Sequence, residues 1–257
     1  MSSNKCVVLG TGTSQGVPVI GCSCAVCTSD NPHDNRLRSA ILLKLGKTNI
    51  VVDTGPDFRT QMLRAKVNHL DAALLTHYHN DHIIGLDDIR PFNFIQKKPL
   101  RIYGRKTVLE NVKHRFEYVF SAIKYPGAPS IEAIEIINKP FSINGNKIIP
   151  IDFLHGKLPV FGYRINNFAY LTDIKSITDK ERQKLTGLSH LIVSALHHEY
   201  HHTHFNLTEA LEFIDQIKPG KAYLTHCSHL MGLSENVSEK LPLNVVLAYD
   251  GLEIDFD

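Results

Sequence analysis

The sequence predicts a mixed α/β (α+β) fold: two mixed β-sheets stacked face to face, with helices on their outer faces. Three observations carry that expectation. Strand-like apolar runs occur both as hairpins and as single runs separated by helical stretches, so the chain is neither strictly βαβ nor all-β. Three of those runs end in Thr followed by a residue with a metal-ligating side chain, which asks for strand ends gathered on one rim. No linker, repeat or low-complexity stretch divides the 257 residues, so residues 1–257 read as one domain.

In chain order, Cys6 to Leu9 reads as a first strand, followed by the glycine-rich loop Gly10-Thr-Gly-Thr-Ser-Gln-Gly16. Ala40 to Leu45 and Asn49 to Asp53 form a hairpin turning at Gly46-Lys47. Asp57 is placed to cap a helix running to about Lys66. Ala72 to Thr76 is a buried strand, and Lys106 to Phe120 has helical periodicity. After a loop at Pro126 to Pro129, strands are expected at Ile131 to Ile137, Lys147 to Phe153, Val160 to Ile165 and Phe168 to Thr172. Further strands at Leu191 to Ala195, Ala222 to Thr225 and Val245 to Tyr249 alternate with helices at Asp179 to Leu185 and Leu207 to Ile217. Asn206 followed three residues later by Glu209 is a capping box for the second of these helices.

Composition excludes several classes. A formal net charge of +2 gives no strong grip on nucleic acid or anionic membrane, and 43% hydrophobic residues is ordinary for a globular protein. No apolar run reaches the length of a membrane span, and Met1 to Lys5 lacks the pattern of a signal peptide, so a cytoplasmic location is expected. Five cysteines, three of them between Cys22 and Cys27, argue against a disulfide framework and for a metal clip in a reducing compartment. Cys6 is expected in the core, and Cys227 is given no role. The oligomeric state is left open, a homodimer being the commonest form of soluble homo-oligomers.

The chemistry concentrates in Thr76-His-Tyr-His-Asn-Asp-His82. Three imidazoles (His77, His79, His82) and the carboxylate of Asp81 follow directly on an apolar strand. Imidazole is the commonest metal ligand, and a neighbouring carboxylate suits a divalent cation. A merely polar loop is a poor explanation of four such side chains at one strand end. Thr172 is followed by Asp173, Thr225 by His226, and the strand Lys147 to Phe153 by His155, so each could join the same rim. Any one of these alone would read as a surface or capping residue.

These residues are similar to the signature of the metallo-β-lactamase superfamily, His-x-His-x-Asp-His, present here as His77, His79, Asp81 and His82. The resemblance implies the metallo-β-lactamase fold, a four-layer αββα sandwich, and two divalent metal ions, zinc or manganese. It further implies that His77, His79 and His155 hold one ion, that Asp81, His82 and His226 hold the other, and that Asp173 bridges them. Where Asp173 stands, the zinc β-lactamases have Cys, which disfavours antibiotic hydrolysis. Two cations about 3.5–4 Å apart can hold a hydroxide at neutral pH and clamp both the entering and the leaving oxygen.

Cys22-Ser-Cys24-Ala-Val-Cys27 is one ligand short of a tetrahedral zinc site, and His229 can complete it. Together with Gly-Thr-Gly-x-x-x-Gly-Val-Pro before it, this segment resembles the cyclic-phosphate phosphodiesterases of bacterial phosphonate breakdown, which carry one structural zinc. That branch also implies a catalytic His just before a late helix, here His204. As a general acid it would protonate the leaving alkoxide, a contribution of about 10²–10⁴-fold. Asp81 counts with the catalytic groups as well as with the ligands. His197, His198, His201 and His202 share the loop and are expected to be solvent-exposed or supporting. Lys157 is expected to be an ordinary surface lysine.

The expected function is therefore hydrolysis of a small phosphodiester, such as a cyclic phosphate, with no stable binding of nucleic acid and no membrane partner. The rivals are a tRNA 3′-processing-nuclease-like activity and a glyoxalase-like thioester hydrolase. The first lacks its basic arm here, and the second leaves the cysteines and His204 unexplained. Iron-dependent redox chemistry and a non-catalytic zinc-stabilised binding module are the readings from other classes. A nicotinamide cofactor is excluded, because the glycine spacing is one residue too long and Val17-Pro18 follows where a helix should begin.

Overall fold

The computed structural model describes residues 4–123 and 125–257. Met1–Ser3, part of the Met1 to Lys5 segment expected to lack a signal peptide, lies outside them. The strands, in chain order, are β1 (Asn4–Gly10), β2 (Ala40–Leu45), β3 (Thr48–Val52), β4 (Ala72–Leu74), β5 (Leu100–Gly104), β6 (Ile131–Glu135) and β7 (Phe141–Ile143). They continue as β8 (Asn146–His155), β9 (Leu158–Ile165), β10 (Phe168–Leu171), β11 (His190–Ser194), β12 (Lys221–Thr225), β13 (Val245–Leu247) and β14 (Glu253–Phe256). The helices are α1 (Phe58–Arg64), α2 (Asn80–Ile83), α3 (Arg90–Gln96), α4 (Lys106–Arg115), α5 (Glu117–Phe120), α6 (Asp179–Gln183), α7 (Leu207–Ile217) and α8 (Ser234–Ser238).

The strands form two seven-stranded sheets, ordered β14-β1-β2-β3-β4-β5-β6 and β13-β12-β11-β10-β9-β8-β7. Both are mixed. In the first, β14 to β3 are antiparallel and β3 to β6 parallel. In the second, β13 to β10 are parallel and β10 to β7 antiparallel.

Strand alternation builds the layers. Val8, Ile41, Leu43 and Leu74 from the first sheet meet Phe161, Tyr163, Tyr170 and Ile192 from the second in one buried cluster. The intervening residues face outward: Val7, Leu9, Leu42 and Val51 pack under Phe58 and Met62 of α1 and Val108 and Val112 of α4. On the far side Leu191, Val193 and Leu224 pack under Ala210, Phe213 and Ile214 of α7. Strands buried on both faces read as unbroken apolar runs, which is how they stand in the sequence. The outcome is the expected αββα sandwich. Among the described residues no helix is long and apolar enough to cross a membrane.

Several local expectations need correction. Asp57 stands before α1 but makes no side-chain cap. Its carboxylate accepts the Arg38 backbone N–H at 2.8 Å and pairs with the Arg38 guanidinium at 3.3 Å. The helix expected over Lys106 to Phe120 is two helices, because the backbone leaves helical geometry at Phe116 (φ −115°, ψ 43°), whose ring is buried. His155 is the last residue of β8 rather than a residue beyond it. β5, β7, β14, α2, α3 and α8 have no counterpart among the expected elements; β7 has three residues and β14, α2 and α8 four or five, too few for a clear period. The capping box of α7 is present as expected, with the Glu209 N–H on Asn206 Oδ1 at 2.8 Å and the Asn206 N–H on Glu209 Oε2 at 2.9 Å.

Candidate metal centre

The expected site residues gather where strands of both sheets end. The His loop follows β4, Asp173 and His226 stand just beyond β10 and β12, and His155 closes β8. Parallel strands deliver their carboxyl ends to one edge of a sheet, so residues distant in sequence arrive at one place. Asp53, Asp173 and His226 turn the chain off their strands with φ of 66°, 60° and 57°. Non-glycine residues rarely adopt this left-handed geometry, and it costs of order 1–3 kcal/mol each unless the surroundings enforce it. That three of them sit at one rim marks the site independently of side-chain type.

Asp173 lies at the middle. Its Oδ2 is 3.3 Å from His82 Nε2, and its Oδ1 is 3.2 Å from His226 Nε2 and 3.5 Å from His204 Nδ1. Asp81 Oδ2 stands 3.1 Å from His82 Nε2 and 3.8 Å from His226 Nε2. Asp81, His82 and His226 therefore form one compact ligand-type group. His77, His79 and His155 are neighbours but less tightly gathered. His77 Nε2 is 3.0 Å from His79 Nδ1, and the His79 and His155 rings are 5.2 Å apart. His77 groups with His82 and Asp173, and His155 groups with Asp173 and His204. His204 thus stands close enough to ligate, the alternative to its expected role as general acid. Of its loop neighbours, His201 lies 5.1 Å from the His204 ring, His198 Nε2 is at 2.9 Å from the Met231 carbonyl, and His202 is exposed.

One residue was missed. Asp53, fully buried, holds His82 Nδ1 at 2.6 Å and accepts the Thr76 N–H and hydroxyl, each at 2.9 Å. An imidazole whose Nδ1–H is held by a carboxylate presents Nε2 to the site in a fixed tautomer and orientation. Its signal in the sequence is weaker than that of Asp173: Asp53 also follows an apolar strand, but Val52 rather than Thr precedes it. Gly55 lets this turn reach the His loop, since a Cβ there would lie 2.1 Å from the Asp81 carbonyl oxygen.

Burial opposes charge throughout the site, and the neighbours decide each case. Burial disfavours the His82 imidazolium, yet Asp81, Asp53 and Asp173 together hold its pKa well above the ordinary value. Burial likewise opposes the Asp173 carboxylate, but His226 and His82 bring it well below the carboxylate range. Burial and the adjacent His82 push His77 down. Burial also lowers His204 to about 2, with Asp173 opposing and His226 and His155 adding to the fall.

Cys22, Cys24, Cys27 and His229 form a separate group. Cys22, Cys24 and Cys27 place their sulfurs 3.4, 3.4 and 3.5 Å from His229 Nδ1. A tetrahedral zinc with ordinary bonds would set sulfur and nitrogen ligands about 3.5 Å apart. The hydrogen bond from the Cys27 backbone and the His229 contact lower Cys24 to about 6, towards the thiolate that binds metal. Cys6 and Cys227 are buried, and burial raises Cys227 to about 11.

A family model described as the beta-lactamase superfamily domain matches residues 48–227. The chain belongs to that superfamily. Among solved structures of the superfamily fold, a diphosphatase from the PhnP family is 38% identical, covers 99% of this chain and 98% of its own, and superposes with a TM-score of 0.93. Zinc-bound PqqB from Methylobacterium extorquens shares the fold at a TM-score of 0.80 and 19% identity, over 98% of this chain and 100% of its own. An octanoyltransferase of Porphyromonas gingivalis is 38% identical over 98% of this chain. The chain spans about half the length of that relative, 52%. A ribonuclease Z of Methanosarcina mazei is 29% identical over 49% of this chain and 37% of its own length. Within the superfamily the chain is PhnP-like.

The residues fit divalent cations. His226 is 1% exposed, and among the described residues neither of its ring nitrogens has a hydrogen-bond partner; His82 Nε2 and His204 Nδ1 are also buried and, among those residues, make no hydrogen bond. Buried polar atoms without partners are costly, and here they converge with two carboxylates on one spot. A cation bound by those nitrogens and carboxylates satisfies both.

Proposed function

We propose that this chain is a single-domain, cytoplasmic phosphodiesterase that hydrolyses a small substrate, with a cyclic phosphate the expected one. The observation that carries the reading is His204, set against Asp173 at the rim where the ligand-type residues meet. Likeness over nearly the full chain to a diphosphatase supports attack at phosphorus. Five free thiols suit a reducing compartment.

In this reading His77, His79 and His155 would hold one divalent ion and Asp81, His82 and His226 a second, with the Asp173 carboxylate available to both. Cys22, Cys24, Cys27 and His229 hold a structural zinc. Two such ions, zinc or manganese, supply Lewis acidity and a water activated at neutral pH. The chain's own groups do the rest. Asp53 fixes His82, Asp81 and Asp173 hold the charge at the centre, and His204 gives a proton to the leaving oxygen as its bond to phosphorus breaks. An imidazole lowered to about 2 is neutral at pH 7. The anionic phosphate seated beside it is the charge that favours its protonation.

A second reading has a specific observation behind it, namely the partial likeness to ribonuclease Z. The small net charge of +2 argues against a tRNA substrate. Octanoyl transfer, the activity named for the Porphyromonas relative, has nearly half of that protein outside the match in which to reside. The discriminating assay uses metal-reconstituted protein with bis-aryl phosphate, 2′,3′-cyclic nucleotides, tRNA precursor and lactoyl thioester. Turnover of the first two is expected. Thioester cleavage without phosphodiesterase activity would overturn the proposal.

A further inference from the structure

His204 sits in a loop between β11 and α7, and such a loop needs outside anchors to hold an imidazole to within a fraction of an ångström. Three anchors are present. The Phe205 N–H donates to the Ile174 carbonyl at 2.8 Å, which ties the loop to the residue after Asp173. The Thr203 carbonyl accepts His155 Nδ1 at 2.8 Å, and the Gly156 turn runs so close that a Cβ there would lie 2.9 Å from the Thr203 side chain. The third anchor is Glu209. One carboxylate oxygen accepts the Asn206 N–H at 2.9 Å, and the other takes Lys175 Nζ at 2.7 Å.

The Lys175 end of that pair matters because of its position. Lys175 is two residues beyond Asp173, and its N–H donates to the Leu154 carbonyl at 2.8 Å, one residue before His155. Its side chain is 15% exposed, and its ammonium also lies 4.2 Å from the centre of the Tyr200 ring, in the same loop as His204. A capping box by itself needs nothing beyond Asn206 and Glu209. Here the box is welded to the segment that carries Asp173.

We propose that Glu209, through Asn206 on one side and Lys175 on the other, is a positioning residue that holds His204 in register with Asp173 and the leaving group. The inference rests on the reading of His204 as the general acid. In hydrolysis water supplies the new oxygen on phosphorus and gives up a proton, the bond to the leaving oxygen breaks, the proton of His204 passes to that oxygen, and the proton lost by water restores His204 through solvent. An alkoxide needs this proton, whereas a nitrophenolate leaves without it. Misplacing His204 therefore slows alkyl esters far more than nitrophenyl esters, a distinction that general loosening of the fold does not produce.

The test measures kcat and KM for an alkyl and a 4-nitrophenyl phosphodiester, with metal content and circular dichroism, on the metal-loaded wild type and variants. Glu209→Ala is expected to lower kcat on the alkyl ester by about 10- to 100-fold, as misplacement of a reacting group does, and on the nitrophenyl ester by a much smaller factor. KM and metal content should stay near wild type. Glu209→Gln keeps the cap and loses the charge towards Lys175, so it and Lys175→Met should show the same split, more weakly. His204→Ala calibrates the experiment. If it shows the split and the Glu209 and Lys175 variants do not, the positioning role is wrong; if it slows both esters equally, the general-acid reading beneath it is wrong.

Discussion

The two groups of ligand-type residues in this molecule are built in opposite ways. Cys22, Cys24 and Cys27 come from one short loop, are partly exposed, and need His229 alone from elsewhere. The His and Asp centre draws on residues from Asp53 to His226, most of them buried, at the ends of strands from both sheets. Covalent spacing brings the cysteines together, and an ion would fasten two loops there. At the rim the fold brings the ligands together first, with strained backbone and a carboxylate behind His82 holding them in place. A site of the first kind stabilises. A site of the second kind is pre-organised before any substrate arrives, as catalysis requires.

The sharpest way to break this contrast is to remove the group at the middle of the rim. Asp173→Ala should abolish phosphodiesterase activity beyond the about 10²–10⁴-fold attributable to a general acid, and release active-site metal while leaving the cysteine-bound ion. His204→Ala comes next, with a loss of about 10²–10⁴-fold on an alkyl ester and unchanged metal content. Loss of metal in that variant would make His204 a ligand, which its grouping with His155 and Asp173 allows. Asp53→Asn should cost about 10–100-fold in metal affinity or activity, the range for a partner that orients a ligating imidazole.

On the other side of the comparison, Cys24→Ser should act on stability more than on chemistry. Each kcal/mol lost lowers Tm by about 2–4 °C in a chain of this size, so a fall of several degrees is expected in a thermal melt. The smallest effect concerns the backing of the cysteine loop. Asp34 accepts Ser29 Oγ at 2.6 Å and the Ser234 N–H at 2.8 Å, joining that loop to the segment after His229. Burial opposes its charge, but the bonds from Ser234 and Ser29 prevail and lower its pKa. A carboxyl with a depressed folded pKa stabilises above its unfolded value of about 3.9 and loses that contribution as pH falls through the folded value. The Tm gap between wild type and Asp34→Asn should therefore be steady near neutral pH and close in acid.

The same contrast explains what could be read from the sequence. The cysteine spacing and the His-x-His-x-Asp-His run are local, so both stand out in the chain. Asp173 and His226 were legible because each follows an apolar run ending in Thr. Asp53 follows Val52 without that Thr, and its role lies in a hydrogen bond to a residue 29 positions away, which no spacing reveals. α7 was legible to the residue because its cap and apolar face agree. The helix over Lys106 to Phe120 was not, because Phe116 continues the apolar pattern while its backbone breaks the helix.

The most direct test is the metal content of natively purified protein, compared among wild type, Asp173→Ala and Cys24→Ser. Three ions per chain are expected in the wild type. Asp173→Ala should lose ions from the rim alone and Cys24→Ser the single ion of the cysteine loop. If both variants lose the same ion, or if the wild type binds none at the rim under saturating zinc or manganese, the two sites are not what their geometry indicates.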